Sequence, residues 1–564
     1  MWGFIRASQN HVTCDVSWDA IYITTSRRCP KLQWNTCIGT QTMYSLLLTV
    51  ALVFLTGQSQ AGKILIYPYG HCLNSHLLNA ETLTRILLGR GHSVSMLISE
   101  MYNDFDHHRY QPRPRHQNLT MLQFPAPSDY KPICEYDTVD FMMYSPLQER
   151  FDAFIETSVK YCDQLLSNKD FLQSIKEAKF DVFIMEALDP CSRILADYLR
   201  VPFIPLMTAG LGHWDGNPRL PSYLPAAIAP FTNKMTFTER MGNFLMKFLY
   251  ENIPVIMGFD LHFQKLKEKY DMDMSLSLST TFNRAAIKLI NSDFSIEYPA
   301  PIEPDSILVG GFSLKEPKPL SEELEAFMQS AGEAGVIVMS TGTLVKNFDE
   351  RWTRLFADAF SRLPQKVIWR YDGGAANNSL GDNVKLVKWL PQLDLLSHPQ
   401  TRLFITHCGL NALFEAVFTA TPVVAVPMSG DQMNNAAKLT SHAGMGVTVD
   451  MFSVTSDSLH AAIVEVLGEE RYADNAREVS ERFKDQPMKR DEKLNYWVDY
   501  VIRTKGANHL RSPASELSFV KYFCLDVLMA FCAIAVTVTL FVCVLLYYVV
   551  TGLKKRLFKK SKLE

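Results

Sequence analysis

Residues Trp389–Gln432 read WLPQLDLLSHPQTRLFITHCGLNALFEAVFTATPVVAVPMSGDQ, and this stretch decides the fold. RLFIT is a short apolar run of strand length, His407-Cys-Gly-Leu-Asn is a tight turn, and a helical pattern begins near Ala412. PVVAVP then returns as the next strand. Strand, turn, helix and strand within about 30 residues make a unit of parallel α/β construction. A turn of small residues feeding a helix start presents free N–H groups and the positive end of the helix dipole, which suits an anion such as a diphosphate. His407 can add a donor there, and Asn411 can cap the helix. Glu415, one turn further on, can accept both hydroxyls of a ribose. Asp431 and Gln432 follow the last strand, and an adjacent carboxylate and amide suit the vicinal hydroxyls of a sugar ring. Taken singly, His407 reads as a packing histidine, Asp431 as a helix cap and Trp389 as core; the spacing of the set is what points to a ligand.

The same alternation extends in both directions. Upstream, KILIY (Lys63–Tyr67) reads as a buried strand, Asn74 or Ser75 as the cap of a helix carrying Leu78, Leu83, Ile86 and Leu87, and SVSMLIS as the following strand. DVFIM (Asp181–Met185), a loop with Pro190 and the helical SRILADYL form another unit. VIVMS, KVIWR and VKLVKW lead into the opening stretch, and YPAPIEPDS (Tyr298–Ser306), with three prolines, reads as a linker between two α/β series. Met101 to about Lys160 has no strong period and is either an acceptor-binding region or a surface insertion.

The chain has 564 residues, 47% apolar and 20% charged, which excludes a disordered or fibrous protein and predicts several domains. Lys plus Arg is 56 against 59 for Asp plus Glu, a net charge of −3 that argues against nucleic acid as a partner. Eleven Cys are too sparse for a disulfide scaffold, and their spacing offers no zinc site. Ser45–Leu55 (SLLLTVALVFL) suits the apolar core of a signal peptide, with Ser59 and Ala61 at the small-residue positions of a cleavage site. The run from Val527 to Val550 carries no charge and is long enough to span a bilayer, and the tail behind it is basic. The positive-inside rule puts that tail in the cytosol and the body in the lumen. Lys560 and Lys562 resemble a dilysine retrieval signal of the endoplasmic reticulum. Residues 1–42, ahead of Met43, are either an over-extended gene model or a regulatory extension. The sequons at Asn118 and Asn377 would face the glycosylation machinery. Five Cys fall in the lumenal part (Cys72, Cys134, Cys162, Cys191 and Cys408); the odd number leaves at least one thiol free and does not reveal a pairing.

With QKVIWRYDG (Gln365–Gly373), ILVGGF (Ile307–Phe312), MSTGT (Met339–Thr343) and the membrane entry at Phe523–Val527, the segment 389–432 resembles the signature of UDP-glycosyltransferases, and of the animal UDP-glucuronosyltransferase group in particular. The resemblance covers nearly all of residues 62–550. It implies a GT-B fold: two Rossmann-like domains facing each other across a cleft, plus one C-terminal transmembrane helix. The expected parts are an extension at 1–42, a signal peptide at 43–61, an acceptor domain at 62–300, a UDP-sugar domain at 307–505, a span at 527–550 and a cytosolic tail at 551–564. By the same resemblance Trp389 stacks on uracil, Gln392 reaches the nucleoside, and Ser340, Thr343, His407 and Asn411, with the backbone of the turn at Gly409, contact phosphates. Glu415 holds the ribose, and Asp431 with Gln432 holds the sugar. Two positions depart from the family: Ala412 stands where Ser, Thr or Gly is usual, and Cys408 where Gly is common.

The resemblance makes His76, at the head of the first helix and ahead of Arg90-Gly-His92, the base that deprotonates the acceptor, with His71 as the alternative. A helix start disfavours an imidazolium, which suits a neutral base. The family's partner Asp corresponds to Glu186, and Asp189 is a substitute. The expected reaction is sugar transfer from UDP to a hydroxyl of a small lipophilic acceptor, with inversion and with neither a metal nor a cofactor beyond the UDP-sugar co-substrate. UDP-glucose and UDP-galactose stay open as donors beside UDP-glucuronate. The departures also leave open a catalytically silent partner that binds UDP-sugar, or a related subunit, and regulates it; homo- or hetero-oligomers fit either reading.

Overall fold

A computed structural model describes residues 61–69, 74–104, 115–127, 144–212, 215–256, 259–275, 281–343, 345, 348–371 and 380–560. The expected extension, the signal peptide up to but not including its last residue Ala61, His71, Asn377 and Lys562 lie outside these residues. Seven parallel strands form the first sheet: β1 (Lys63–Tyr67), β2 (Ser93–Ser99), β3 (Leu119–Phe124), β4 (Val182–Glu186), β5 (Phe203–Met207), β6 (Lys288–Ile290) and β7 (Ser306–Leu308), in the order 3-2-1-4-5-6-7. Six more form the second: β8 (Val336–Ser340), β9 (Lys366–Arg370), β10 (Val384–Val387), β11 (Thr401–Thr406), β12 (Val423–Ala425) and β13 (Gly446–Thr448), in the order 10-9-8-11-12-13. Both orders reverse direction beside their first strand, the doubly wound arrangement that opens a crevice at the strands' carboxyl ends. The expected GT-B architecture of two Rossmann-like domains is the one observed.

Each sheet is covered on both faces, so its central strands are continuously apolar. In β1, Leu65 and Tyr67 enter one buried layer while Ile64 and Ile66 enter the opposite one. In β8, Ile337 and Met339 divide from Val336 and Val338 in the same way. This alternation is the period of two that a strand imposes.

Two boundaries differ from the sequence expectation. The proline-rich Tyr298–Ser306 connects β6 to β7 within the first sheet, and the chain crosses to the second domain only after β7. At three residues, β7 is too short to show a period. The helix Arg490–Thr504 returns to the first domain, where Leu494, Val498 and Val501 pack with Ile64, Leu87 and Val94. An amphipathic helix shows in sequence that it has a buried face, not which sheet covers it. Beyond it, the helix Leu525–Lys560 carries the uncharged run that starts at Val527, exposed along its length and long enough to cross a membrane.

Candidate active site

The chemistry gathers where strands end. From the first sheet, β1 leads towards the helix Asn74–Gly89, whose third residue is His76; β4 ends in Glu186; and Thr208 follows β5 directly. The His76 imidazole meets the other two: Nδ1 lies 2.6 Å from Thr208 Oγ1 and 3.3 Å from Glu186 Oε2. The Thr208 hydroxyl donates to the Glu186 carboxylate, with Oε1 at 3.0 Å and Oε2 at 3.1 Å. Glu186 and Thr208 are buried, and His76 keeps an exposed edge. Tyr69 packs against the imidazole at 5.7 Å between ring centres. Asp189, the substitute partner, is engaged elsewhere. It caps the helix Pro190–Leu199, Oδ1 accepting from the Cys191 N–H at 2.8 Å.

From the second sheet, β8 ends in Ser340 and β11 leads into His407. The turn between β11 and its helix needs special backbone. Cys408 takes a φ of 63°, the left-handed region where glycine is favoured, and its N–H is held by Thr406 Oγ1 at 3.1 Å. The Cys408 side chain is buried, so the position trades backbone freedom for apolar packing. The helix Leu410–Thr419 starts on Gly409 with no side-chain cap, so Asn411 does not cap it. Asn411 instead spans the cleft: its Nδ2 donates to Asn79 Oδ1 at 3.1 Å, three residues after His76 on the first-domain helix, and its Oδ1 accepts from Ser313 at 3.4 Å.

The His407 ring rests on Gly342 and Gly409; a side chain at either would overlap it. Burial holds the imidazole down at about 4, hence neutral, against the opposing pull of the Ser340 backbone. Thr343 lies half-buried in the turn after β8, and Ser340 Oγ accepts the Gly342 N–H at 3.3 Å. The Arg370 guanidinium donates to the Gly342 carbonyl and stands 5.6 Å from the Trp389 ring centre. Gln392 Nε2 donates to Glu415, whose carboxyl is pushed up to about 7 by burial, against the pull of that bond.

Asp431 and Gln432 open the helix that ends at Ala437. Gln432 Oε1 accepts the Met428 and Ser429 N–H groups at 2.8 and 3.1 Å, and Asp431 Oδ2 accepts from Asn435 at 2.8 Å. Burial raises the Asp431 carboxyl; the Asn435 bond and the nearby His76 oppose the rise. Asn434 Nδ2 reaches the first domain's Ala229 carbonyl at 3.2 Å. The structure thus places Ser340, Thr343, His407, Gly409 and Asn411 around one turn, pairs Gln392 with Glu415 near Trp389, and sets Asp431 and Gln432 across from His76 and Glu186. The sequence reading missed Thr208, Asn79 and Arg370. Thr208 was within reach: like Glu186, it is a polar residue closing an apolar strand run. Asn118 sits in the turn before edge strand β3.

A family profile described as "UDP-glucoronosyl and UDP-glucosyl transferase" matches residues 62–560. Human UDP-glucuronosyltransferase 2B7 is 33% identical over 516 residues, 88% of this chain and 95% of that protein. The guinea-pig (Cavia porcellus) UDP-glucuronosyltransferase 2A3 is 34% identical over 498 residues, 85% and 91% of the two chains. Among solved structures, a UDP-glucose:anthocyanidin 3-O-glucosyltransferase in complex with UDP superposes with a TM-score of 0.55 at 18% identity, over 79% of this chain and 100% of the other. A UDP-glucosyltransferase from Polygonum tinctorium gives 0.54 at 17% identity, over 79% and 99%.

Proposed function

The chain belongs to the UDP-glucuronosyl and UDP-glucosyl transferase family and is a glycosyltransferase; from that premise we propose that it is a UDP-glucuronosyltransferase that glucuronidates a hydroxyl of a small lipophilic acceptor with His76 as the base. The observation that carries the reading is the buried Glu186 carboxylate on the imidazole, with the imidazole close enough to Asp431 for the two to interact electrostatically. Glu186 stands where the family has Asp, yet its longer side chain reaches the ring. That geometry favours an active transferase over a silent partner.

The acceptor O–H gives its proton to His76 Nε2 while its oxygen bonds to the anomeric carbon. The bond from that carbon to the UDP oxygen breaks on the opposite face, so configuration inverts. The proton rests on the imidazolium, which Glu186 stabilises, and the charge left on UDP lies at the turn around His407 and the start of the helix Leu410–Thr419. Glu415 would accept the ribose hydroxyls, Trp389 would stack on uracil, and Asp431 with the amide nitrogen of Gln432 would hold the sugar. The helix Leu525–Lys560 would anchor the body on the lumenal side of the endoplasmic reticulum membrane, with the basic tail in the cytosol.

The test is sugar transfer by purified protein, screening UDP-glucuronate, UDP-glucose and UDP-galactose against phenols and steroid alcohols. UDP-glucuronate is the expected donor. His76→Ala should lower turnover about 10²–10⁴-fold, the usual worth of a general base, with UDP binding retained. Full turnover in that variant on a weakly acidic alcohol removes the base assignment.

A further inference from the structure

We infer that Thr208 is a positioning residue that joins the His76 imidazole to the Glu186 carboxylate and so determines which ring nitrogen receives the acceptor's proton. The inference rests on the proposed role of His76 and goes beyond it. Among the three groups the shortest contact of the ring is with the threonine, 2.6 Å, and not with the carboxylate, 3.3 Å.

Counting protons orders the network. A carboxylate only accepts, and a threonine hydroxyl has one proton to give. Thr208 lies 3.0 and 3.1 Å from the two Glu186 oxygens, so that proton is directed at the carboxylate. Were it turned to the imidazole instead, the hydroxyl oxygen would face both carboxylate oxygens with lone pairs only. Thr208 therefore has a lone pair left for His76, and Nδ1 must be the donor. The remaining nitrogen, Nε2, is bare and is the one able to take a proton. After transfer both ring nitrogens carry protons, and the Nδ1 bond persists unchanged. The bridge thus fits the state before the step and the state after it.

The family's shorter Asp explains why such a bridge matters in this chain. Glu186 is held at its far end by the Thr208 hydroxyl, with the Leu188 N–H a further donor at 3.4 Å. An extra methylene adds a rotatable bond, and the hydroxyl removes the freedom it brings. Thr208 is itself fixed: it directly follows β5 and is buried. Misplacing a reacting group by about 1 Å can cost on the order of 10²-fold in rate.

The experiment compares wild type, Thr208→Val, Thr208→Ser and His76→Ala in the full-length membrane protein, using UDP-glucuronate with an acidic phenol and with an aliphatic alcohol. Thr208→Val keeps the shape and removes the hydroxyl. It should lower kcat on the alcohol by about 10–100-fold with an unchanged KM for the donor, and on the acidic phenol by less. Thr208→Ser should recover most of the rate. Adding Glu186→Gln to Thr208→Val should cost less than Glu186→Gln alone, because the hydroxyl bridge is already gone and only the direct 3.3 Å contact of the carboxylate with the ring is left to lose. Folding is read separately from the UDP-induced rise in melting temperature, and Thr208→Ala takes the place of Thr208→Val if the latter lacks that rise. Wild-type turnover of the alcohol by Thr208→Val, with His76→Ala inactive, overturns the inference and leaves the base reading standing. Equal losses in the Val and Ser variants also overturn it, since the hydroxyl would then not be the cause. Full activity in His76→Ala overturns the base reading itself.

Discussion

Binding of UDP should release a proton from Glu415. Burial pushes this carboxyl up to about 7, whereas a carboxylate receiving two ribose hydroxyls is stabilised in its charged form. If the bound ribose returns it to an ordinary value of roughly 4.3, binding at pH 7 releases about half a proton, and at pH 6.5 about three-quarters. The free protein then holds more protons than the complex, so affinity rises with pH, by about tenfold between pH 6 and pH 8, and levels off above. His407 runs the other way. A phosphate beside it favours its protonation, but from about 4 that uptake belongs to the acidic end of the range. The phosphate's own titration near pH 6 is shared by wild type and variant. The assay is calorimetry of UDP binding at pH 6.5, 7 and 8, in buffers of different ionisation enthalpy, on wild type and Glu415→Gln. The difference between the two proteins should be the Glu415 proton alone. Equal proton release from both would show that the ribose does not meet this carboxylate, or meets it protonated, and the reasoning fails.

Three further outcomes are expected. Gly342→Ala should weaken UDP binding by about tenfold or more while sparing the first domain, because a Cβ there overlaps the His407 ring on a backbone with φ of 76°; an unchanged Kd refutes the placement of His407. The disulfide between Cys162 and Cys191 closes a loop of sequence separation 29, so replacing both with Ser should cost about 3–4 kcal/mol, read as a fall in Tm. Protease added to sealed microsomes should remove only the C-terminal tail, and digestion of the whole body would reverse the proposed orientation.

How much was legible in the sequence differs from residue to residue, for physical reasons. Local signals were enough where one element carries them. The strands at 63–67, 336–340 and 401–406 are short apolar runs, and the run at 527–550 lies in a single apolar helix; each shows its nature in its own residues. The turn at His407–Asn411 was legible because turn chemistry and a helix start adjoin in sequence. Glu186 and Asp189 could not be separated in this way. They are three residues apart, both carboxylates, and only the fold turns one onto His76 and the other onto a helix start. The same holds for Asn411, which looked like a cap and spans the cleft to Asn79, 332 positions away. The disulfide partners, the sheet that receives the helix Arg490–Thr504, and the meeting of His76, Thr208 and Glu186 across 132 positions all depend on side chains brought together by strand order. Periodicity reports which face of an element is buried, whereas the partner on that face is set by how two separate sheets wind and by where their carboxyl ends come to face each other.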